Sequence, residues 1–142
     1  MGVMVGLYGD EPGEATKGTA MGWKPASIED VQKIVKSDLT RCDEAQIAAF
    51  ERYSVQPFLA PIVRYGEPGQ VVVVARKGER VIYWEDVEEG FNESAVSSAG
   101  QILEHYCNQD ELAWALNFWI DGRKKPQRFG PAKPMKRYYQ PD

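Results

Sequence analysis

Residues 71–87 read VVVVARKGERVIYWEDV, and this stretch decides the fold. The run 71–76 carries valines on both faces of an extended chain, a pattern typical of a strand that is buried on both sides. Lys77-Gly78-Glu79 has the composition of a tight turn, so Arg80–Val87 is predicted to return as the second arm of a hairpin. The centre of the protein is therefore expected to be an antiparallel strand pair.

The sequence on either side extends this hairpin into a larger sheet. Phe58–Tyr65 is predicted to be a strand, and Pro61, which has no N–H to give to a ladder, favours an edge position. Gly90–Gly100 is rich in small residues and is predicted to be a loop. Gln101–Cys107 alternates and is predicted to be a further strand. We expect an antiparallel meander of about four to five strands.

Two helices are expected before the sheet. Ser27 is followed three residues later by Asp30, a capping-box pattern, and apolar residues then recur at helical spacing to about Ser37. Asp43 has a glutamine three residues on, which predicts a second, shorter helix that ends near Tyr53. In both cases a side-chain oxygen would accept a hydrogen bond from a free N–H group of the first helical turn.

One helix is expected after the sheet. Asn108 is predicted as its N-cap, and Gly122 as the residue that ends it. A stripe of apolar residues at helical spacing would face the sheet, formed by Leu112, Ala115, Leu116 and Trp119. Trp114 and Phe118 lie on an adjacent face, which would become the contact surface of a homodimer if it does not pack on the sheet.

The 142 residues fit a single α+β domain, in which an antiparallel sheet is covered by two N-terminal helices and one C-terminal helix. We place this domain at residues 1–122. Residues 1–26 are glycine-rich, with a short strand predicted at Val3–Tyr8. Residues 123–142 contain four prolines and are predicted to form an extended basic tail.

The net charge of −4 conceals a separation of charges along the chain. Residues 81–122 contain nine Asp or Glu and no Lys or Arg, whereas residues 123–142 contain seven Lys or Arg and a single Asp. Two interpretations stay open. Either the basic tail folds back over the acidic segment, or one or both of the two regions meet a partner of opposite charge.

Composition disfavours several classes of protein. The chain has no run of about 18 apolar residues that could span a membrane, and Met1–Asp10 has no secretory signal pattern, so a cytoplasmic protein is expected. Cys42 and Cys107 match neither a disulfide framework nor zinc spacing, and no metal or other cofactor is expected. The acidic net charge argues against a nucleic-acid partner.

His105, the single histidine, lies two positions before Cys107. On a strand the two side chains would share a face about 6–7 Å apart, which is too far for direct contact between a nucleophile and its base but can be closed by distortion of the strand. An enzyme built around His105 is the alternative function, and it would have to use nearby carboxylates such as Glu104 or Glu88. We assign no catalytic residue from the sequence.

The function predicted first is a non-enzymatic module that binds a basic protein partner through an acidic patch. Bacterial immunity proteins and antitoxins are comparable, by analogy of size and charge alone. Aromatic residues beside the acids would supply the anchor of the interface. The candidate contact residues are Tyr83, Trp84, Glu85, Asp86, Glu88, Glu89, Phe91 and Glu93.

Alternation places Tyr83 and Trp84 on opposite faces of a strand, so one of them is expected to meet solvent or a partner. Reversal of the four acids between positions 85 and 89 to lysine is expected to slow association and to leave the fold intact. Further candidate contacts lie in the tail, at Arg123, Lys124, Lys125 and Arg128. A third hypothesis is an oligomeric assembly component.

Overall fold

The computed structural model describes residues 24–130. The helices that precede the sheet are α1 (Ile28–Leu39) and α2 (Glu44–Tyr53). The strands are β1 (Ser54–Arg64), β2 (Glu67–Lys77), β3 (Arg80–Glu85) and β4 (Gly90–Ala95). They are followed by α3 (Leu112–Leu116) and a 3₁₀ turn (Asn117–Trp119). The predicted strand Val3–Tyr8 and residues 131–142 of the tail lie outside the described residues.

The predicted α+β class with an antiparallel meander is confirmed. The four strands lie in the order β1-β2-β3-β4, and each pairs antiparallel with the next. Val73 of β2 is opposite Phe58 on one side and Tyr83 on the other, so β2 is a central strand. Pro61 lies in β1, at the edge of the sheet where a missing N–H is tolerated.

The sheet has a core on each face, because successive side chains of a strand point to opposite sides. On one face Val72 and Val74 pack with α1 and α3. On the other face Val71, Val73 and Tyr83 pack with Ile102, which lies outside the four strands. Both faces of β2 are therefore buried, as its valine run predicts.

Both predicted helix starts are confirmed. The Ser27 hydroxyl accepts from Asp30 N–H at 3.0 Å, and the Asp30 carboxylate accepts from Ser27 N–H at 3.3 Å. Asp43 and Gln46 form the same reciprocal pair, with both bonds at 2.9 Å. Among the helices of residues 24–130, none is long and apolar enough to cross a membrane.

The loop predicted at Gly90–Gly100 is wrong in its first half, because residues 90–95 form β4. This strand buries Asn92, Glu93 and Ser94, so it lacks the apolar alternation that marks a strand in a sequence. Each polar side chain is hydrogen-bonded inside the protein. Asn92 Nδ2, for example, donates to the Asn108 carbonyl at 2.9 Å, and Asn108 N–H donates to Asn92 Oδ1 at 2.9 Å.

The strand predicted at Gln101–Cys107 is also wrong: within residues 24–130 this segment makes only an isolated bridge, between Val96 and Ile102. Its backbone N–H groups donate hydrogen bonds to separate acceptors, and not to the carbonyl groups of a single neighbouring strand. Ile102 N–H donates to the Pro61 carbonyl of β1, and Leu103 N–H donates to the Ala95 carbonyl of β4. The segment therefore crosses the second face of the sheet and is hydrogen-bonded to both outer strands.

The last helix is shorter than predicted, and Asn108 is not its N-cap. Helix α3 has five residues and begins after Glu111, whose side chain makes no capping bond to the described residues. Asp38 of α1 takes that role, since its Oδ2 accepts from Leu112 N–H at 2.8 Å. Trp114 is 47% exposed, and the homodimer contact through the Trp114/Phe118 face stays a prediction.

Candidate functional site

The structure does not present the predicted acidic patch as one open surface. Five of its eight residues are buried inside the protein: Tyr83, Glu85, Asp86, Phe91 and Glu93. Trp84 and Glu88 are half-buried, and Glu89 is exposed. The expectation that all eight form a contact surface is corrected for the buried five, because the cores on the two faces of the sheet cover β3 and β4, and Arg64 pairs with Asp86. Of the aromatic pair, Trp84 is the one that reaches solvent.

Glu93 is neutralised within the chain. Its carboxylate accepts from Arg80 Nη2 at 2.7 Å, from Arg128 Nη2 at 2.6 Å and from the Trp119 indole N–H at 2.8 Å. Burial alone would raise the pKa of Glu93, but these hydrogen bonds outweigh it and hold the pKa below its usual value. The charge of Glu93 therefore stabilises the fold through these contacts.

The first part of the basic tail folds back on the body. The Arg128 guanidinium lies 4.2 Å from the ring centre of Phe118 and 4.8 Å from that of Tyr106, beside Glu93. Arg123 pairs with Asp43 at 2.9 Å. Lys124 and Lys125, the other two candidate tail contacts, are exposed. Within the described residues, the two candidate arginines therefore contact the body of this chain.

Glu85 lies at the centre of a second charged cluster. It is fully buried, and Arg64 Nη1 lies 2.7 Å from its Oε1 and 2.9 Å from Asp86 Oδ1. His105 Nε2 lies 3.0 Å from Glu85 Oε2, in a contact that is not aligned as an N–H···O hydrogen bond. Burial would raise the pKa of Glu85, but the contacts with His105, the Val87 amide and Arg64 lower it overall.

A cavity of about 870 Å³ opens beside this cluster. It lies at the end of the sheet, where the β1–β2 turn, the β3–β4 turn, the start of α1 and the segment 105–107 meet. Its apolar wall comes from Pro25, Ile28, Leu59, Pro68 and Val87. Its polar and aromatic wall comes from Arg64, Tyr65, Glu67, Glu88, His105 and Cys107. A volume of this size lies within the range of about 300–1,000 Å³ that is usual for ligand sites.

Most of this cavity has no signal in the sequence, because its walls come from four separate stretches of the chain. The sequence pointed to His105 and Cys107, and it offered Glu104 or Glu88 as the carboxylate that acts with His105. In the structure Glu104 contacts Arg80 at 3.0 Å, and Glu85 is the carboxylate beside His105. The sequence contains one indication of this site: Tyr65 precedes Gly66 in a turn, at a position where asparagine or aspartate is usual.

The cluster is not arranged as a cysteine nucleophile with its base. Cys107 Sγ lies 3.6 Å from His105 Nε2, the same nitrogen that faces Glu85. In catalytic triads the nucleophile and the carboxylate contact different nitrogens of the ring. Burial, together with Glu85 and Glu88, raises the pKa of Cys107 to about 11. The thiol is therefore neutral near pH 7, whereas a nucleophile must be a thiolate.

We expect Cys107 to react slowly with iodoacetamide at pH 7, and its alkylation rate to keep rising past pH 10. Peptide-resolved mass spectrometry over a pH series measures this rate, with free cysteine as the reference thiol. The raised pKa is the reason, since only the thiolate attacks the reagent. A rate that levels off below pH 8 would contradict the expectation and would show that Cys107 is a thiolate near neutral pH.

Neither a metal site nor a similar protein indicates the chemistry of this cavity. No group of three or more His, Cys, Asp or Glu in residues 24–130 is placed to hold a metal ion. Comparison with protein-family models, curated proteins and solved structures found no significant match. The chemistry of the cavity must therefore be inferred from its own residues.

Proposed function

We propose that the protein is a non-enzymatic binding module for a basic protein partner, and that the partner docks at the cavity beside His105. The observation that carries this proposal is an apolar cavity whose rim is itself apolar and exposed. Leu59 is 46% exposed, Tyr65 52% and Val87 49%, and all three line the cavity. Exposed apolar residues that cluster around a concavity are typical of interaction sites.

Exposed apolar side chains also extend beyond the cavity along β1. Phe58 and Val63 of this strand are exposed, as is Leu103 of the segment that crosses the sheet. By alternation Val63 shares a face of β1 with Leu59, whereas Phe58 lies on the opposite face. A small molecule inside the cavity would leave these side chains exposed. This supports a protein partner, with side chains that enter the cavity as anchors of the interface.

Charge supports a basic partner. Arg64 is the single Lys or Arg of residues 24–130 that lines the cavity, and its charge is offset by Glu85 and Asp86. Glu67 and Glu88 line the same cavity and form no ion pair with another residue of that range. The field at the rim is therefore negative, which speeds the approach of a positively charged partner.

The proposal keeps the comparison with immunity proteins and antitoxins, which is an analogy of size and charge. It also places the protein in the cytoplasm. The free thiols of Cys42 and Cys107 support this location, because unpaired cysteines are common in a reducing compartment.

A capture experiment with paired charge reversals tests the proposal. Wild type and the variant Glu67→Lys/Glu88→Lys are immobilised, and proteins retained from host lysate are identified by mass spectrometry. The matched control is Glu44→Lys/Glu51→Lys, which reverses two exposed acids of α2 away from the cavity. We expect a basic protein that wild type and control retain and that the rim variant loses.

The retained protein, once purified, is then measured by surface plasmon resonance at low and moderate salt. The rim variant should associate about tenfold more slowly at low salt, because complementary fields act mainly on the association rate. Equal retention by the rim variant, or equal loss by the α2 control, would contradict the proposal.

The alternative function, catalysis around His105, has one supporting observation. A buried Glu85–His105 contact lies at the wall of the cavity, as it does in many sites that use a histidine as a base. Because Cys107 is held as a neutral thiol, the cluster offers no activated cysteine. We therefore place binding before catalysis.

A further inference from the structure

Tyr65 occupies a backbone position that disfavours large side chains. Its φ is +55°, and that of Gly66 is +82°, so both residues of the β1–β2 turn lie in the left-handed region. Hairpin turns of this kind favour asparagine, aspartate or glycine at the first position, because a bulky side chain crowds the backbone there. The tyrosine therefore makes the turn less stable than asparagine would.

The next hairpin offers a comparison, because its turn has glycine at the first position. The turn between β2 and β3 begins with Gly78, whose φ is +63°. A Cβ atom on Gly78 would have nothing within 4 Å, so glycine is present there for its backbone freedom and not for lack of space. The β1–β2 turn is of another type, because both of its residues have a positive φ, but its first residue also lies at positive φ, and there the chain keeps an aromatic ring.

The ring of Tyr65 is placed at the cavity. It is 52% exposed, lines the cavity, and lies edge-to-face with His105 at 5.7 Å between ring centres. Strained backbone at an exposed position is retained where the side chain serves a function, and here the side chain forms part of a binding wall.

The surroundings of the ring define the chemistry of its ligand. Glu67 and Glu88 line the same cavity, and Leu59 and Val87 provide apolar surface beside them. The face of an aromatic ring attracts a cation, and nearby carboxylates attract the same charge. An apolar wall can pack against the aliphatic part of a lysine or arginine side chain.

We infer that the cavity takes the arginine or lysine side chain of a partner protein, and that Tyr65 is the residue that selects it. This inference rests on the proposed function and identifies the part of the partner that enters the cavity. Tyr65 is thus a specificity-determining residue whose presence weakens the turn that carries it.

Two variants of the full chain distinguish the role of the ring in ligand binding from its effect on the stability of the fold. Tyr65→Asn removes the ring and relieves the backbone, whereas Tyr65→Phe keeps the ring and removes the hydroxyl. Trp114→Gln is the control, since it removes an exposed aromatic that does not line the cavity. The probes are the acetylated and amidated peptides Leu-Arg-Leu, Leu-Lys-Leu and Leu-Glu-Leu, titrated in the millimolar range while NMR follows the methyl groups of Leu59 and Val87.

We expect both basic peptides to shift these methyl signals and the acidic peptide to leave them unchanged. Tyr65→Asn should weaken the basic peptides about three- to fivefold, which is the size of one cation–π contact, and should raise the thermal midpoint. Tyr65→Phe and Trp114→Gln should bind as wild type does.

Four results would overturn the inference: equal binding of the acidic peptide, no shift with the basic peptides, unchanged binding of the basic peptides by Tyr65→Asn, or a lower thermal midpoint for Tyr65→Asn. The last would show that the ring serves the fold. If the proposed function fails but the inference holds, the results differ. The basic peptides would then bind at Tyr65, but the capture experiment would find no basic protein that wild type retains and Glu67→Lys/Glu88→Lys loses.

Discussion

Glu85→Lys is expected to abolish the native fold at neutral pH. Glu85 is fully buried, and its carboxylate lies 2.7 Å from Arg64 and 3.0 Å from His105. A lysine there would place a second cation beside Arg64, and of the two carboxylates that now contact Arg64 only Asp86 would remain. Breaking a buried ion pair costs about 3–5 kcal/mol even without the added repulsion, against a total stability of about 5–15 kcal/mol.

Far-UV circular dichroism during urea unfolding measures this effect. Glu89→Lys is the control, because Glu89 is exposed in the same acidic stretch and its reversal should shift the midpoint little. A Glu85→Lys variant with the midpoint of wild type would contradict the structure. The burial of Glu85 and Asp86 also corrects the expectation that all four acids between positions 85 and 89 can be reversed with the fold intact.

Glu93→Ala is expected to destabilise the protein by about 3–5 kcal/mol. The substitution leaves three donors without their shared acceptor: the guanidinium groups of Arg80 and Arg128 and the indole N–H of Trp119. Arg128 would keep its bond to the backbone carbonyl of residue 93 and its contacts with Phe118 and Tyr106, so we expect the tail to loosen and not to detach. Urea unfolding gives the free energy, and proteolysis after Lys124 or Lys125 reports on the tail. Glu51→Ala, an exposed acid on α2, is the control.

The same carboxylate predicts how stability depends on pH. The pKa of Glu93 is lower in the folded protein than its ordinary value of 4.5, so the unfolded chain binds its proton first as the pH falls. The contribution of Glu93 is therefore complete above about pH 5 and is lost as the pH falls through its folded-state pKa. The stability of Glu93→Ala should vary less than that of wild type between pH 5 and 3. Parallel curves for the two proteins would contradict this assignment.

The parts of the fold that sequence analysis predicted correctly are those with local signals. Ser27 and Asp43 cap their helices through residues three positions away, and the valines of β2 carry their own burial pattern. In β4 the signal fails, because Asn92 and Glu93 are buried polar residues whose partners come from distant parts of the chain. No local pattern distinguishes such a strand from a polar loop.

The candidate site was predicted in part for the same reason. His105 and Cys107 are neighbours in sequence and stay close in the structure, with 3.6 Å between Nε2 and Sγ. The contact between His105 and Glu85 joins positions 20 residues apart. It exists because the segment 101–107 crosses the sheet, and alternation in that segment predicts a strand instead. The cavity therefore depends on a chain path that the sequence pattern does not reveal.

The cap that Asp38 provides for α3 has a consequence for the order in which the protein folds. An isolated helix needs about 12–15 residues to be marginally stable in water, and α3 has five. Its first N–H is held by a side chain 74 positions earlier in the chain. The hairpins, which connect neighbouring strands through short turns, have the local contacts that form quickly. Since α3 has to wait for α1 to reach the sheet, we expect it to be the last element to form.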